Sequence, residues 1–480
     1  MDQVIDAINH IIWGYILIYG LLAVGIFYSF KLGFPQIVHF PEMLRALSSK
    51  GSEDSTGISP RQALSVSLAS RVGTGNIAGV AVALYLGGPG AIFWMWMVAL
   101  VGMSSAYAES TLAQLYKSKG PMGNFRGGPA YYIERGLGKR WLGIIFSLCL
   151  ILSFGLVFNA VQSNAIAGAM DQAFGVPKLT TGVVIGVLTA IVIFGGIKKI
   201  AKVAEIIVPF MAATYLLLTV VIMIINYATV PDVILSIVKN AFGIQEAVGG
   251  VTGGVMVALL NGIKRGLFSN EAGMGSAPNI AASATPVPHH PSSQGFVQAF
   301  GVFIDTICVC TATAVVILLS GIYQPGVGPS GVELTQLALA QHIGETGFIF
   351  IAVAIFFFAF TSIIGNYSYA ENAMIFLGVQ STKGLVGIRI GLIAMVIWGS
   401  IQSVETVFNT ADASMGLMAI INLVSISLLS GIVLKLTKDY IKQRKAGLDP
   451  TFHAPDHPEL CQNVDQEIWT DPKRVSVKPN

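Results

Sequence analysis

Apolar residues run through this chain in long blocks with short polar stretches between them. The blocks lie near residues 11–30, 62–85, 89–115, 141–170, 180–196, 203–226, 247–275, 294–320, 347–375, 386–404 and 412–436. A helix needs roughly 20 apolar residues to cross a bilayer, so the pattern predicts an all-α polytopic membrane protein with about 11 transmembrane helices. Two blocks are interrupted. The second contains Arg71-Val72-Gly73-Thr74-Gly75-Asn76, whose glycines, Thr74 and Asn76 are poor helix formers. The seventh contains Gly249, Gly250, Gly253 and Gly254, then Asn261-Gly262, then the run from Arg265 to Ser276. A break within a membrane leaves backbone N–H and C=O groups unpaired, which is tolerated only against protein or a water-filled cavity. Such a break offers a helix N-terminus to an anion and loose carbonyls to a cation. The first break therefore reads as half of a binding site; the plainer reading is a glycine-rich packing face.

Charge orients the blocks. Lys and Arg concentrate after the first block (Lys31, Arg45, Lys50, Arg61), after the third (Lys117 to Arg140), after the fifth (Lys198, Lys199, Lys202), between the ninth and tenth (Lys383, Arg389) and in the tail. The intervening loops are poor in them, which predicts an N-terminus outside and a C-terminus in the cytoplasm. The two interrupted blocks are five apart and so run in opposite directions. That arrangement points to an inverted-repeat transporter with its site at the midplane. The corresponding division is 1–61 for an extra N-terminal helix and cytoplasmic loop, 62–226 and 227–436 for the two repeats, and 437–480 for a polar tail expected to be cytoplasmic and mobile. Composition agrees: 54% hydrophobic, 11% charged. The net charge of +3 is too small to suggest nucleic acid. Cys149, Cys308, Cys310 and Cys461 form no framework, and the adjacent His289 and His290 in a proline-rich loop read as solvated rather than metal-binding. Asp2 and Asp6, rather than a basic segment, precede the first block, so no cleavable leader is expected.

Four strings in order carry a family likeness: SRVGTGNIAGV from Ser70, GGPGAIFWMW from Gly87, GGPAYYIERGLG from Gly127 and RGLFSNEAGMGSAP from Arg265. They resemble the alanine/glycine:cation symporters, also called sodium:alanine symporters, from Ile12 to about Leu436. The resemblance implies a leucine-transporter-like fold, a 5+5 inverted repeat with one extra N-terminal helix. It implies sodium-driven uptake of small neutral amino acids across a cytoplasmic membrane of bacterial or archaeal type, with no cofactor beyond the coupling ion. Val72-Gly73-Thr74-Gly75-Asn76 also looks like the V-G-x-G-N break of the neurotransmitter:sodium symporters. That likeness puts the amides of Thr74 and Gly75 on a substrate carboxylate, carbonyls near Ala69 and Val72 on an ion, and the Asn76 side-chain oxygen beside the substrate.

The residues bear this out chemically. A zwitterion needs donors for its carboxylate, and the N–H groups of Thr74, Gly75 and Asn76 head the second half-helix, where the dipole helps. On the residues alone Phe268 reads equally as ordinary packing; the resemblance makes it the expected wall for the side chain, with carbonyls near Leu267 to Asn270 as acceptors for the ammonium. Asn159 and Gln162 share a face of the fourth block; Gln162 is the expected substrate contact, against a role as helix–helix glue. In the ninth block, Thr361 and Ser362 fall where the resemblance puts hydroxyl ligands of sodium, joined by a carbonyl near Phe358. No Lys lies near them in sequence to replace the ion, which favours sodium over protons. Arg71, Glu109, Arg265, Glu271, Asp305 and Glu371 are charges inside blocks, read as an inner gate network; Asp305 is alternatively a proton site. Asn366 stands where other family members carry Trp, and a smaller polar residue there opens an alternative substrate such as glutamine. A channel would show repeated filter loops or charge rings, and an enzyme a nucleophile–base set or metal ligands; the sequence offers neither.

Overall fold

The structure, a computed structural model, describes residues 2–48, 57–120, 124–194, 196–243, 253–379 and 381–470. Eight helices among them are long and apolar enough to cross a membrane. They are α1 (Ile5–Lys31), α3 (Gly90–Leu115), α4 (Arg140–Phe174), α6 (Gly196–Ile225), α8 (Pro291–Leu319), α9 (Thr346–Phe376), α10 (Thr382–Ser400) and α11 (Val404–Leu428). Between them lie the shorter α5 (Lys178–Ile193) and two broken helices. In α2, Pro60–Arg71 is followed by Gly75–Gly87; in α7, Gly253–Asn270 is followed by Pro278–Ala281. Gly249 and Gly250 lie outside the described residues.

The pattern of burial is that of a protein in an apolar solvent. Outer helix faces carry large apolar side chains such as Phe210, Leu217 and Ile224 on α6, while polar Ser67, Thr111, Gln114, Asn159 and Gln298 are buried inside. Two groups of helices form, with α2 between them: its first half packs chiefly on α6 and α9, its second half on α3, α7 and α8, while α4, α5, α9 and α10 pack with one another, and α1 lies against α3 and α11. The first half of α2 starts on a capping box: Ser59 accepts from the Gln62 N–H, the Gln62 side chain accepts from the Ser59 N–H, and Pro60 takes the first helical position.

Three boundaries depart from expectation. The eleventh block was expected at 412–436, but α11 begins at Val404 and ends at Leu428, and a separate helix, Ser430–Lys445, follows. The expected block began late because the first turns of α11 carry polar Glu405, Thr406, Asn409 and Thr410, and ended late because the next helix opens on apolar Ile432, Val433 and Leu434. Short helices Phe40–Ser48, Val230–Ala241 and Val332–Ile343 were not anticipated; Val233, Ile237 and Ala241, spaced by four, bury one face of the second. The tail is packed rather than mobile through residue 470. Phe452, Cys461, Ile468 and Trp469 are buried, Trp469 Nε1 donates to the Leu115 carbonyl at 3.2 Å, and the Phe452 N–H donates to the His289 carbonyl at 2.8 Å. His289 lies tilted against the Trp469 ring with centroids 4.9 Å apart, half-buried rather than freely solvated.

Candidate functional site at the helix breaks

The first break redistributes backbone bonds. In a continuous helix the Gly73 N–H would reach the Ala69 carbonyl, and the Thr74 N–H the Ser70 carbonyl. Val72 instead turns out of the helix at φ −74° and ψ 92°. The Gly73 N–H donates to Asn76 Oδ1 at 2.9 Å, and the Thr74 N–H to Gln162 Oε1 at 3.0 Å. The Thr74 hydroxyl donates to that same Gln162 oxygen at 2.7 Å. One neutral amide oxygen from α4 thus meets two donors at the break. The released Ala69 carbonyl accepts from Ser362 Oγ on α9 at 2.8 Å.

Around Ser362 the expected ion ligands gather. Ser362 and Thr361 both donate to the Phe358 carbonyl at 3.0 Å, and Thr361 also to that of Phe357. Ala69 O, Phe358 O, Thr361 Oγ1 and Ser362 Oγ are hard, neutral oxygens, one of them a carbonyl freed by helix unwinding. That donor set fits sodium. Val72 lies in the break; among the described residues no hydrogen bond joins its carbonyl to this group. Glycine is required here: a Cβ on Gly73 would stand 2.3 Å from Ser362 Oγ and 2.9 Å from Gln162 Oε1.

The expected substrate residues divide. Thr74 and Gln162 meet directly. Gly75 lies against the second broken helix, where a Cβ would come within 2.9 Å of Ser269 Cα and 3.2 Å of Phe268 Cδ1. Phe268 belongs to an aromatic group: it stacks on Phe158 with centroids 4.7 Å apart and tilts against Phe408 at 5.1 Å. Asn76 departs from expectation. Its oxygen is taken by Gly73, and its nitrogen turns away to the Asp305 carboxylate at 2.7 Å. Asn366 bridges two helices, accepting from Ser70 Oγ at 2.7 Å and donating to Asn159 Oδ1 at 3.2 Å. Phe158 and Phe408 are the contributors that no local motif isolates; Asn159 was read only as Gln162's neighbour and Ser269 only as part of the string from Arg265.

The buried charges do not form one inner network. Arg265 pairs with Asp412 and lies 4.8 Å over the Phe408 ring, among the N-terminal ends of α1 and α11; Trp13 donates to the Asp412 carbonyl. Arg126 pairs with Glu371 at 2.9 Å, near the C-terminal end of α9. The two pairs are separate: Asp412 lies in the first half of α11 and Glu371 in the last turns of α9. Glu109 holds the second break: its carboxylate accepts from the N–H groups of Gly273 and Gly275 and from Asn422. Glu271, in a left-handed conformation at φ 57°, accepts from Ser70, Ser276 and Tyr369. Arg71 donates to the carbonyl and side chain of Gln298.

Comparison with known proteins agrees with this architecture. Residues 1–454 match the profile of the sodium:alanine symporter family. The chain is 50% identical over 474 residues to the amino-acid carrier protein AlsT of Bacillus subtilis, covering 98% of each chain. It is 48% identical to the probable sodium/glutamine symporter GlnT of the same organism, covering 94% of this chain and 93% of that one. It is 40% identical to the sodium/alanine symporter AgcS of Methanococcus maripaludis, covering 92% and 98% respectively. The two broken helices, with the polar groups they turn toward α4 and α9, are thus those of a transporter, and the chain belongs to the sodium:alanine symporter family.

Proposed function

We propose that this protein couples inward sodium movement to the uptake of small neutral amino acids, alanine and glycine foremost, across the cytoplasmic membrane. In this reading the chain crosses the membrane 11 times, N-terminus outside and C-terminus inside. α2–α6 and α7–α11 form the two inverted repeats of a leucine-transporter-like fold, and α1 is the additional helix. One observation carries the reading: a single helix break sends its freed donors to one place and its freed acceptor to another. The Thr74 N–H and hydroxyl converge on Gln162 Oε1, and the Ala69 carbonyl turns to Ser362.

The Gln162 oxygen occupies the position a carboxylate oxygen would take at a helix N-terminus. A substrate carboxylate would exchange with it, and Gln162 would then be free to donate to the substrate. Phe268, braced by Phe158 and Phe408, walls the apolar side chain. Ala69, Phe358, Thr361 and Ser362 would hold sodium, with Val72 completing the shell as α2 adjusts. The charge of the ion supplies the attraction that ties hard oxygens together, and these residues join α2 to α9 across the two helix groups. Arg265–Asp412 with Phe408 closes the outer side and Arg126–Glu371 the inner. Counterflow of labelled alanine in proteoliposomes, with a panel of competing amino acids and sodium replaced by choline, tests the reading. Exchange that survives choline, or that alanine and glycine fail to compete for, would refute it.

A second reading, glutamine as substrate, has one specific support. It is the 48% identity to the probable sodium/glutamine symporter GlnT; Asn366, bonded here to Ser70 and Asn159, is the position to probe. On this reading excess glutamine suppresses alanine exchange, and Asn366→Trp removes the suppression while sparing alanine; absence of competition in the wild type disposes of it.

A further inference from the structure

Three carboxylates are buried beside the breaks with no cation within ion-pair distance among the described residues: Glu109, Glu271 and Asp305. They differ in what surrounds them. Glu109 accepts only from N–H groups, of Gly273, Gly275 and Asn422, and nitrogen donors cannot turn round to accept. Glu271 accepts from the hydroxyls of Ser70, Ser276 and Tyr369 and stands within the second break itself, whereas Asp305 meets Asn76 of the first break. Asp305 is wholly buried. Its Oδ1 accepts from Asn76 Nδ2 at 2.7 Å, and its Oδ2 accepts from Ser269 Oγ at 2.7 Å and Thr306 Oγ1 at 2.8 Å.

We propose that Asp305 is a second coupling-ion site, binding and releasing one proton per transport cycle. The proposal rests on the transport reading above and goes beyond it in naming a group and an ion. The hydrogen-bond arrangement accommodates both protonation states without moving a heavy atom. In the charged form Ser269 and Thr306 both donate to Oδ2. On protonation a proton from water bonds to Oδ2, and the new O–H donates to Ser269 Oγ. The Ser269 hydroxyl hydrogen swings to Cys310 Sγ, 3.2 Å away. Thr306 keeps its donation to Oδ2 and continues to accept from Asn270 Nδ2 at 3.1 Å. Release reverses these rotations and returns the proton to water on the other side.

Location couples this group to the substrate site. Asp305 lies in a stretch of α8, Phe303–Cys310, wound as a π-helix, and faces Gly75–Gly79, the π-wound start of the second half of α2. Wide turns of this kind recur at functional positions. Asn76 links the two: its oxygen caps Gly73 within the break and its nitrogen grips Asp305. Ser269, the other partner, stands beside Gly75. A change of charge on Asp305 therefore acts on both broken helices at once. The titratable groups that face it among the described residues are Arg71 from α2 and Cys308 and Cys310 of its own helix; α3, α6 and α7 pack on the same stretch, α7 contributing Ser269 and Asn270.

The test uses full-length protein in proteoliposomes with equal sodium on both sides and the membrane potential clamped at zero by potassium and valinomycin. Acid outside and one pH unit across the membrane set a ceiling of about tenfold accumulation for one proton per alanine. The wild type is expected to concentrate labelled alanine several-fold under this gradient, and Asp305→Asn to lose that accumulation while retaining measurable sodium-dependent counterflow. No accumulation by the wild type, or undiminished accumulation by Asp305→Asn, overturns the proposal. So does an Asp305→Asn variant whose only defect is a raised sodium requirement, which would make the carboxylate a sodium ligand. If Asp305→Asn shows no counterflow, Thr306→Val decides: a shift of half a pH unit or more in the pH for half-maximal proton-driven accumulation supports the proposal, and an unmoved midpoint refutes it. Failure of the transport reading is separable, because it would abolish sodium-dependent counterflow in the wild type itself.

Discussion

Gly75 and Gly79 lie four residues apart on the same half-helix, yet they should respond oppositely to one methyl group. At Gly75 an added Cβ meets Ser269 Cα at 2.9 Å and Phe268 Cδ1 at 3.2 Å; at Gly79 it meets only the Thr74 carbonyl at 3.7 Å. Carbon atoms pack at about 3.5–4.0 Å, so the first contact overlaps by more than half an ångström. The obstacle is the backbone of α7, which cannot rotate away. Overpacking of this kind costs about 1–3 kcal/mol. The natural relief is separation of the two broken helices, which disturbs the aromatic wall and the donors of the break together. If that energy is drawn from substrate binding, the half-saturating alanine concentration rises about 5- to 150-fold in Gly75→Ala, since 1.4 kcal/mol is tenfold. Gly79→Ala should stay within about twofold, because 3.7 Å is ordinary contact. Sodium-driven alanine uptake at matched protein density in proteoliposomes measures both. Wild-type half-saturation in Gly75→Ala would refute the contact between the breaks as a determinant of binding; an equal defect in both variants would show that only helix propensity had been read.

Other consequences follow from single bonds. Ser362→Ala removes the hydroxyl that meets the Ala69 carbonyl, and Thr361→Ala removes its neighbour; each should raise the half-maximal sodium concentration about fivefold or more, with alanine affinity at saturating sodium preserved. Unchanged sodium curves in both would locate the ion elsewhere. Glu109→Gln turns an acceptor that serves two backbone N–H groups and Asn422 into a mixed donor, and should destabilise the protein by about 1–3 kcal/mol, read as a lower thermal midpoint in detergent. Trp469→Ala should release the packed segment 450–470, making the chain after Lys445 accessible to protease while transport-competent protein still inserts; unaltered protection would contradict the docking.

The parts that could be read from sequence were those written locally. The glycine-rich interruption at 73–75 announced a broken helix because helix propensity and membrane solvation act on neighbouring residues; of the run 265–276 only the part after Asn270 leaves the helix, so the Leu267 carbonyl, expected to be free, is taken by the Glu271 N–H. Thr361 and Ser362 were legible as adjacent hydroxyls in an apolar run, and Gln162 as an amide that had to find a partner. What escaped depends on groups far apart in the chain. Nothing near Asp412 marks it as the partner of Arg265, 147 residues away, so the pairing was not legible in the sequence. Asn76 was expected to present its oxygen to substrate; the structure uses that oxygen to cap Gly73, an outcome set by the turn at Val72. The polar tail read as mobile because its apolar residues are sparse. Yet Phe452 and Trp469 suffice to anchor it where the ends of α3 and α8 provide a surface.

The account stands on sodium-coupled accumulation of a small neutral amino acid. The direct measurement is uptake of labelled alanine by proteoliposomes under an inward sodium gradient, at constant pH on both sides and with the potential clamped, against the same vesicles in choline. The account predicts accumulation above the external concentration in sodium, its collapse when the gradient is dissipated, and only leak in choline. Equal accumulation in sodium and choline, or mere equilibration in sodium, would contradict it.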